Sequence, residues 1–358
     1  MFGRADLWIR PKFLSTTTVP ISSTRISANW IINQREDLTW FIGSGLIGYF
    51  AIALMVAGCP IEPLYILWMF GVDGPHVLAT VTRTYCDKNE RAKLGPWLWV
   101  LAPFIAIGPI AVGLGYGSLF FLFAVCWQHF HIVKQHFGFM MLYKAKNADR
   151  DPWDFKVDRW YLLTSLLLPL TMFVAATRDF VGGHEAVQWV LKVADFGYLV
   201  FAAYFFWRQV EKHRAGIPLN APKFMLLALV APLQWLAFRY AAQFGPDGII
   251  RAAIPLGLFH SLQYHRLMWF HNKNRYAGEG AGEKYGLAAT LAKGGLGVYL
   301  AIAIGLNLVI SLIPALAGPG ADFWKAAVWG FAFTHYVLDA KIWHVRGDHD
   351  LAQALNMR

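Results

Sequence analysis

Twelve histidines are spread over this 358-residue chain, and nine of them fall within or at the edge of apolar segments: His76, His129, His131, His136, His260, His265, His271, His335 and His344. The stretch WQHFHIVKQHFGF, Trp127 to Phe139, carries three of these, His129, His131 and His136, together with Gln128 and Gln135. Ionisable side chains at membrane depth are costly, so they face a bundle interior, where they pair or line a functional cavity. Neutral imidazole is a ligand for iron, zinc and copper, and a helix bundle can aim ligands inward from several helices at once. All nine are therefore candidate metal ligands. Asp339 joins them, because it lies four residues after His335 on the same helical face and can ligate or orient that imidazole.

Helical phase orders the set. At about 100° per residue His129 and His136 align, while Gln128, His131 and Gln135 form an adjoining stripe that places amides behind imidazoles. His260, Tyr264 and His271 share a face, with His265 turned away by about 140°. Asp73, His76, Thr80, Arg83 and Asp87 follow one another along a further stripe, a carboxylate, an imidazole and a guanidinium leading outward; Pro75 is a candidate kink. Supporting roles therefore fall to Asp73, Arg83, Asp87, Gln128, Gln135 and Tyr264. His184, His213 and His349 lie in connections or beyond the last span, and His349 meets His344 only if the C-terminal segment folds back.

These residues must be carried by membrane helices. The chain is 57% hydrophobic and 15% charged, and stretches long enough to span a bilayer recur. The expected fold is all-α, a polytopic bundle of about ten spans: Leu38–Ala57, Glu62–Arg83, Pro96–Tyr116, Ser118–Tyr143, Trp160–Arg178, Val187–Trp207, Lys223–Ala242, Ile249–His271, Tyr285–Ile313 and Phe323–Trp343. Lys and Arg collect in alternate connections, which predicts that both termini are cytosolic and that the histidines lie in the inner half of their spans. Residues 1–37 read as a cytosolic or interfacial segment without a secretory signal core, 38–344 as one membrane domain, and 345–358 as a cytosolic tail. The net charge of +10 then reflects orientation and contact with anionic headgroups, not nucleic acid. Cys59, Cys86 and Cys126 form neither a disulfide framework nor a thiolate zinc site.

Three H-x4-H spacings, His131 to His136, His260 to His265 and His344 to His349, together with histidines grouped near one membrane face, resemble the histidine-rich membrane di-iron enzymes: fatty acid desaturases, fatty acid hydroxylases and alkane hydroxylases. The chain departs from their boxes in lacking an HH doublet. The layout is also similar to that of the Brp/Blh-type carotenoid dioxygenases. Either resemblance implies an iron-dependent oxygenase.

The ligand types fit that expectation, since imidazoles with few carboxylates suit one or two non-haem irons, and iron with open positions activates O2. A site at this depth would meet a lipid-soluble substrate. A separate electron donor is implied, because the chain shows neither a dinucleotide fingerprint nor an iron–sulfur cysteine pattern. The placement expected is a bacterial inner membrane. The alternatives are a haem-binding electron-transfer protein, with His129, His136, His260 and His271 as axial ligands, and a metal or proton-coupled transporter with the histidines as a relay.

Overall fold

The computed structural model describes residues 26–316, 318–345 and 347–357, and its architecture is a helical bundle. Ten long helices follow one another: α1 Gln34–Val56, α2 Ile61–Thr84, α3 Lys88–Gly113, α4 Gly117–Lys146, α5 Pro152–Thr177, α6 Glu185–Arg214, α7 Ala221–Ala241, α8 Ile249–Arg275, α9 Gly295–Leu316 and α10 Ala321–Ile342. Among the described residues, strand is confined to a two-residue parallel pair, Ile26–Ser27 with Leu219–Asn220.

Seven helices are long and apolar enough to cross a membrane, α7 and α8 counting as one run across the turn at Gly245. The two long helices outside that set are α4 and α10, which carry His129, His131, His136, His335 and Asp339. Their polar residues lower their hydropathy because they serve the interior. Elsewhere the bundle turns apolar side chains outward: Trp189, Val190, Val193, Phe196, Leu199 and Val200 of α6 are all exposed. An apolar exterior around a polar core is the arrangement of a membrane protein.

Every expected span is occupied by a helix, with several boundaries to correct: the third and fifth helices begin at Lys88 and Pro152, not Pro96 and Trp160, and the sixth runs on to Arg214, past Trp207. The ninth begins at Gly295, not Tyr285; Ala281–Tyr285 and Leu287–Lys293 are short separate helices, interrupted where Gly286 and Gly295 take positive φ of 70° and 84°. The described parts of the two flanking segments are held against the bundle as well. Asp37, fully buried, accepts the backbone N–H groups of Ile31 and Ile32 at 2.7 and 3.0 Å. The helix His349–Ala354 folds back so that Leu351 and Leu355 enter the main core. Residues 1–25, most of the segment read as cytosolic or interfacial, lie outside the described residues.

Two local features set the site. In α2 the turn Leu67–Asp73 is widened to a π-helix just before Gly74–Pro75–His76. Proline lacks an N–H and its ring crowds the carbonyl four residues earlier, so an expanded turn accommodates Pro75 within a continuous helix. Between α3 and α10, Gly108 and Gly330 permit backbone contact: a Cβ on Gly330 would lie 2.6 Å from the Ile105 nitrogen, and one on Gly108 would lie 2.4 Å from the Ala326 oxygen. Small residues at such crossings let membrane helices pack closely.

Candidate metal centre

Four helices each deliver one imidazole to a common point. His76 of α2, His131 of α4, His260 of α8 and His335 of α10 are buried, and their candidate ligand nitrogens all lie within 4.8 Å of one another. His76 Nε2 is 3.2 Å from Nε2 of His335 and 3.2 Å from Nε2 of His260, while His335 Nε2 is 3.1 Å from that of His131. Four nitrogens at about 2.0–2.1 Å from one tetrahedral metal stand about 3.3 Å apart, and the three separations of 3.1–3.2 Å come close to that value.

The opposite ring nitrogens show which atoms are free to ligate. His76 Nδ1 is 2.5 Å from the Asp73 carbonyl oxygen. A carbonyl only accepts, so Nδ1 carries the proton and Nε2 of the neutral ring presents its lone pair inward. His335 Nδ1 is 2.7 Å from Thr80 Oγ1, which in turn donates to Asp339 Oδ1 at 3.0 Å; Nδ1–H is thereby fixed and Nε2 again faces the centre. Tyr264 also donates to Asp339 Oδ1, at 2.9 Å. Ser261 donates to Asp73 at 2.8 Å, and Tyr336 stacks on His131 with ring centroids 4.5 Å apart. Such partners fix tautomer and ring direction in metal sites.

Bare nitrogen lone pairs at 3.1–3.2 Å repel one another unless a cation or a shared proton lies between them. A divalent ion satisfies all four. Its two charges have two buried counterparts, Asp73 with Oδ1 3.6 Å from His76 Nδ1 and Asp339 with Oδ1 3.6 Å from His335 Nδ1. Pairing of this kind is what a buried charge requires. The four histidines thus form a group that could hold a metal ion.

The remaining candidates are placed elsewhere. His129 directs Nε2 to the Leu166 carbonyl at 2.8 Å, toward α5. His136 packs against the ring of Phe259 at 4.9 Å. His265 has both nitrogens engaged, Nε2 with the Val72 carbonyl at 3.0 Å and Nδ1 with Tyr299 at 3.3 Å. His271 contacts Asn272 and Trp343. His344 is exposed beyond the end of α10, as is His349 on the C-terminal helix. These five candidates, His129, His136, His265, His271 and His344, lie outside the cluster.

Asp339 lies behind the ring of His335, its Oδ2 4.0 Å from His131 Nε2, and Asp73 lies behind His76. Gln135 donates to the His260 carbonyl at 2.8 Å and to Gln263 at 3.1 Å, tying α4 to α8 beside the cluster. Gln128 is half-buried on α4. Asp87 caps the start of α3 and pairs with Arg275 and Tyr276, away from the centre. Arg83 stands two turns beyond His76. Ser261 and Tyr336 were not among the expected site residues; each directly follows a ligand candidate in sequence, a position that face-sharing arguments pass over.

An apolar cavity of about 270 Å³ borders the cluster between α2, α3 and α10. His335 and Thr80 are among its lining residues, and Val77, Val81, Leu101 and Phe331 line much of the rest. No family model, no curated protein and no solved structure matches this chain.

Proposed function

We propose that the chain is a membrane-embedded oxidoreductase whose four-histidine centre holds one non-haem iron and acts with O2 on a lipid-soluble substrate. The observation that carries this reading is the convergence of four Nε2 atoms at coordination spacing beside an apolar cavity. Iron held by neutral imidazoles would supply O2 activation. The chain's own residues do the rest: Asp73 and Thr80 orient two of the rings, Asp73 and Asp339 balance charge, and the cavity admits an apolar chain while excluding bulk water. Electrons beyond those of the substrate would come from a separate donor. Both termini facing the cytosol of a bacterial inner membrane is part of the same proposal, supported by the alternation of basic connections.

Among the alternatives, the haem reading has less support: of its four candidate ligands only His260 belongs to the cluster, and His129 Nε2 is engaged by the Leu166 carbonyl at 2.8 Å. The direct test is oxygen uptake by the iron-loaded, detergent-purified protein on addition of lipid extract, with products identified by mass spectrometry. Substrate-dependent uptake that disappears in His335→Ala is the expected result. Full iron occupancy with no uptake on lipid extract, with or without an added reductant, would contradict the oxidase assignment.

A further inference from the structure

Two residues drawn from the histidine-and-arginine pattern of the sequence are left without a task by the metal centre, and they are neighbours. Arg83 is 1% exposed. Its Nη2 donates to the carbonyl of Ile342 at 2.5 Å, and its guanidinium lies over the ring of Trp343, 4.1 Å from the centroid. Its Nε and Nη1 are buried without any acceptor. No carboxylate of the described residues lies within ion-pair distance of it. Asp87 and Glu90, near in sequence, are committed to Arg275 at 3.2 and 2.9 Å.

His271 is 0% exposed and packs against the same Trp343, ring centroids 5.6 Å apart. Its Nε2 is likewise buried and unpartnered. Asn272 Oδ1 lies 3.1 Å from Nδ1; amide oxygen and nitrogen are interchangeable by a half-turn, and with the nitrogen toward the ring Nδ1 accepts and the proton sits on Nε2, which then donates. Three polar atoms on two residues around one indole therefore lack a partner at a depth where each missing hydrogen bond costs about 1–3 kcal/mol, and more for a charged group. The α10 carbonyl end and the indole face offset part of the guanidinium charge. They leave Nε–H and Nη1–H unanswered.

We infer that Arg83 and His271 form a binding site for a monoanionic carboxylate. One guanidinium charge matches one carboxylate, whereas a phosphate dianion would bury excess negative charge. The site lies seven residues along α2 from His76, about 10 Å beyond the metal centre. Tyr264 lies between the two, its ring 5.4 Å from that of His335 and 6.1 Å from that of Trp343. The inference does not depend on the identity of the metal or on the proposed oxidation. The ligand is either a small free carboxylate or the head of a lipid acid.

Carboxyl-13C acetate and carboxyl-13C decanoate, titrated separately against the detergent-purified full chain and followed by NMR, test this. Saturable binding of at least one probe is expected, weakened at least tenfold in Arg83→Gln and severalfold in His271→Gln, with metal content unchanged in both variants. Equal affinities would identify a small carboxylate, and decanoate tighter by tenfold or more would identify a lipid acid. No saturable binding of either probe, or binding unaffected by Arg83→Gln, would overturn the site. If Arg83→Gln fails to accumulate, His271→Gln decides: undiminished binding overturns the proposal. Metal content of the same samples reports separately on the four-histidine centre.

Discussion

His129 and His131 are two residues apart on α4, and at about 100° per residue they point roughly 200° apart around its axis, so at most one can face the centre. The pair His129 and His136 suggested the opposite face, because two aligned imidazoles look like a ligand stripe. The structure directs His131 to the cluster, and His129 bonds a carbonyl of α5. Which histidines could be ligands was legible from residue type and membrane depth. Which one of each helix is used depends on the rotation of that helix, which packing decides. Mutation separates the two groups: His131→Gln should reduce bound metal to a small fraction of the wild-type stoichiometry, whereas His129→Gln should leave it intact, as read by elemental analysis. Asp339→Asn keeps the shape but removes a counter-charge, and a metal-competition titration should show affinity lower by about 10–100-fold.

At the scale of the elements, the α3–α10 crossing holds His335 in place. Gly330 meets the backbone of Phe104 and Ile105, so any side chain there pushes the helices apart. Gly330→Val should destabilise the bundle by about 1–3 kcal/mol, the usual cost of overpacking, and lower the melting temperature of the detergent-solubilised protein. Loss of metal should accompany it, because α10 carries His335. The glycines gave no such signal in the sequence, where Gly330 is one of 32 and its partner helix is more than two hundred residues away. Pro75 was legible as a distortion ahead of His76. Its accommodation by a π turn that offers the Val72 and Asp73 carbonyls to His265 and His76 was not, since that depends on partners from α8 as well as α2.

For the whole molecule, runs of apolar residues marked where the long helices lie, although α4 and α10 fall outside the seven apolar enough to span, whereas the charge network that joins four helix ends was hidden. Lys144 of α4, Lys212 of α6 and Lys223 of α7 converge on Asp149, at 3.0, 3.2 and 2.9 Å, and on Asp154 and Asp158 of α5. In the sequence these lysines read as ordinary basic flanks, because the acidic partners of Lys212 and Lys223 come from the distant α4–α5 connection and the start of α5. Burial alone would raise the pKa of Asp149, but Lys223, Lys144 and Lys212 outweigh it and hold the carboxyl well below its ordinary value of 3.8. Its contribution to stability is therefore complete above that value and is lost as pH falls through the lower folded value. Asp149→Asn should lower the melting temperature at pH 7, and the difference from wild type should shrink as the pH drops below about 3.8. The bundle as a whole presents four helices around one point, and X-ray absorption at the metal edge, with elemental stoichiometry on the same sample, addresses that point directly. The predicted result is one metal per chain with four imidazole nitrogens at about 2.0–2.1 Å. A chain without stoichiometric metal after reconstitution, or one whose metal has fewer than three imidazole neighbours, would contradict the four-histidine centre.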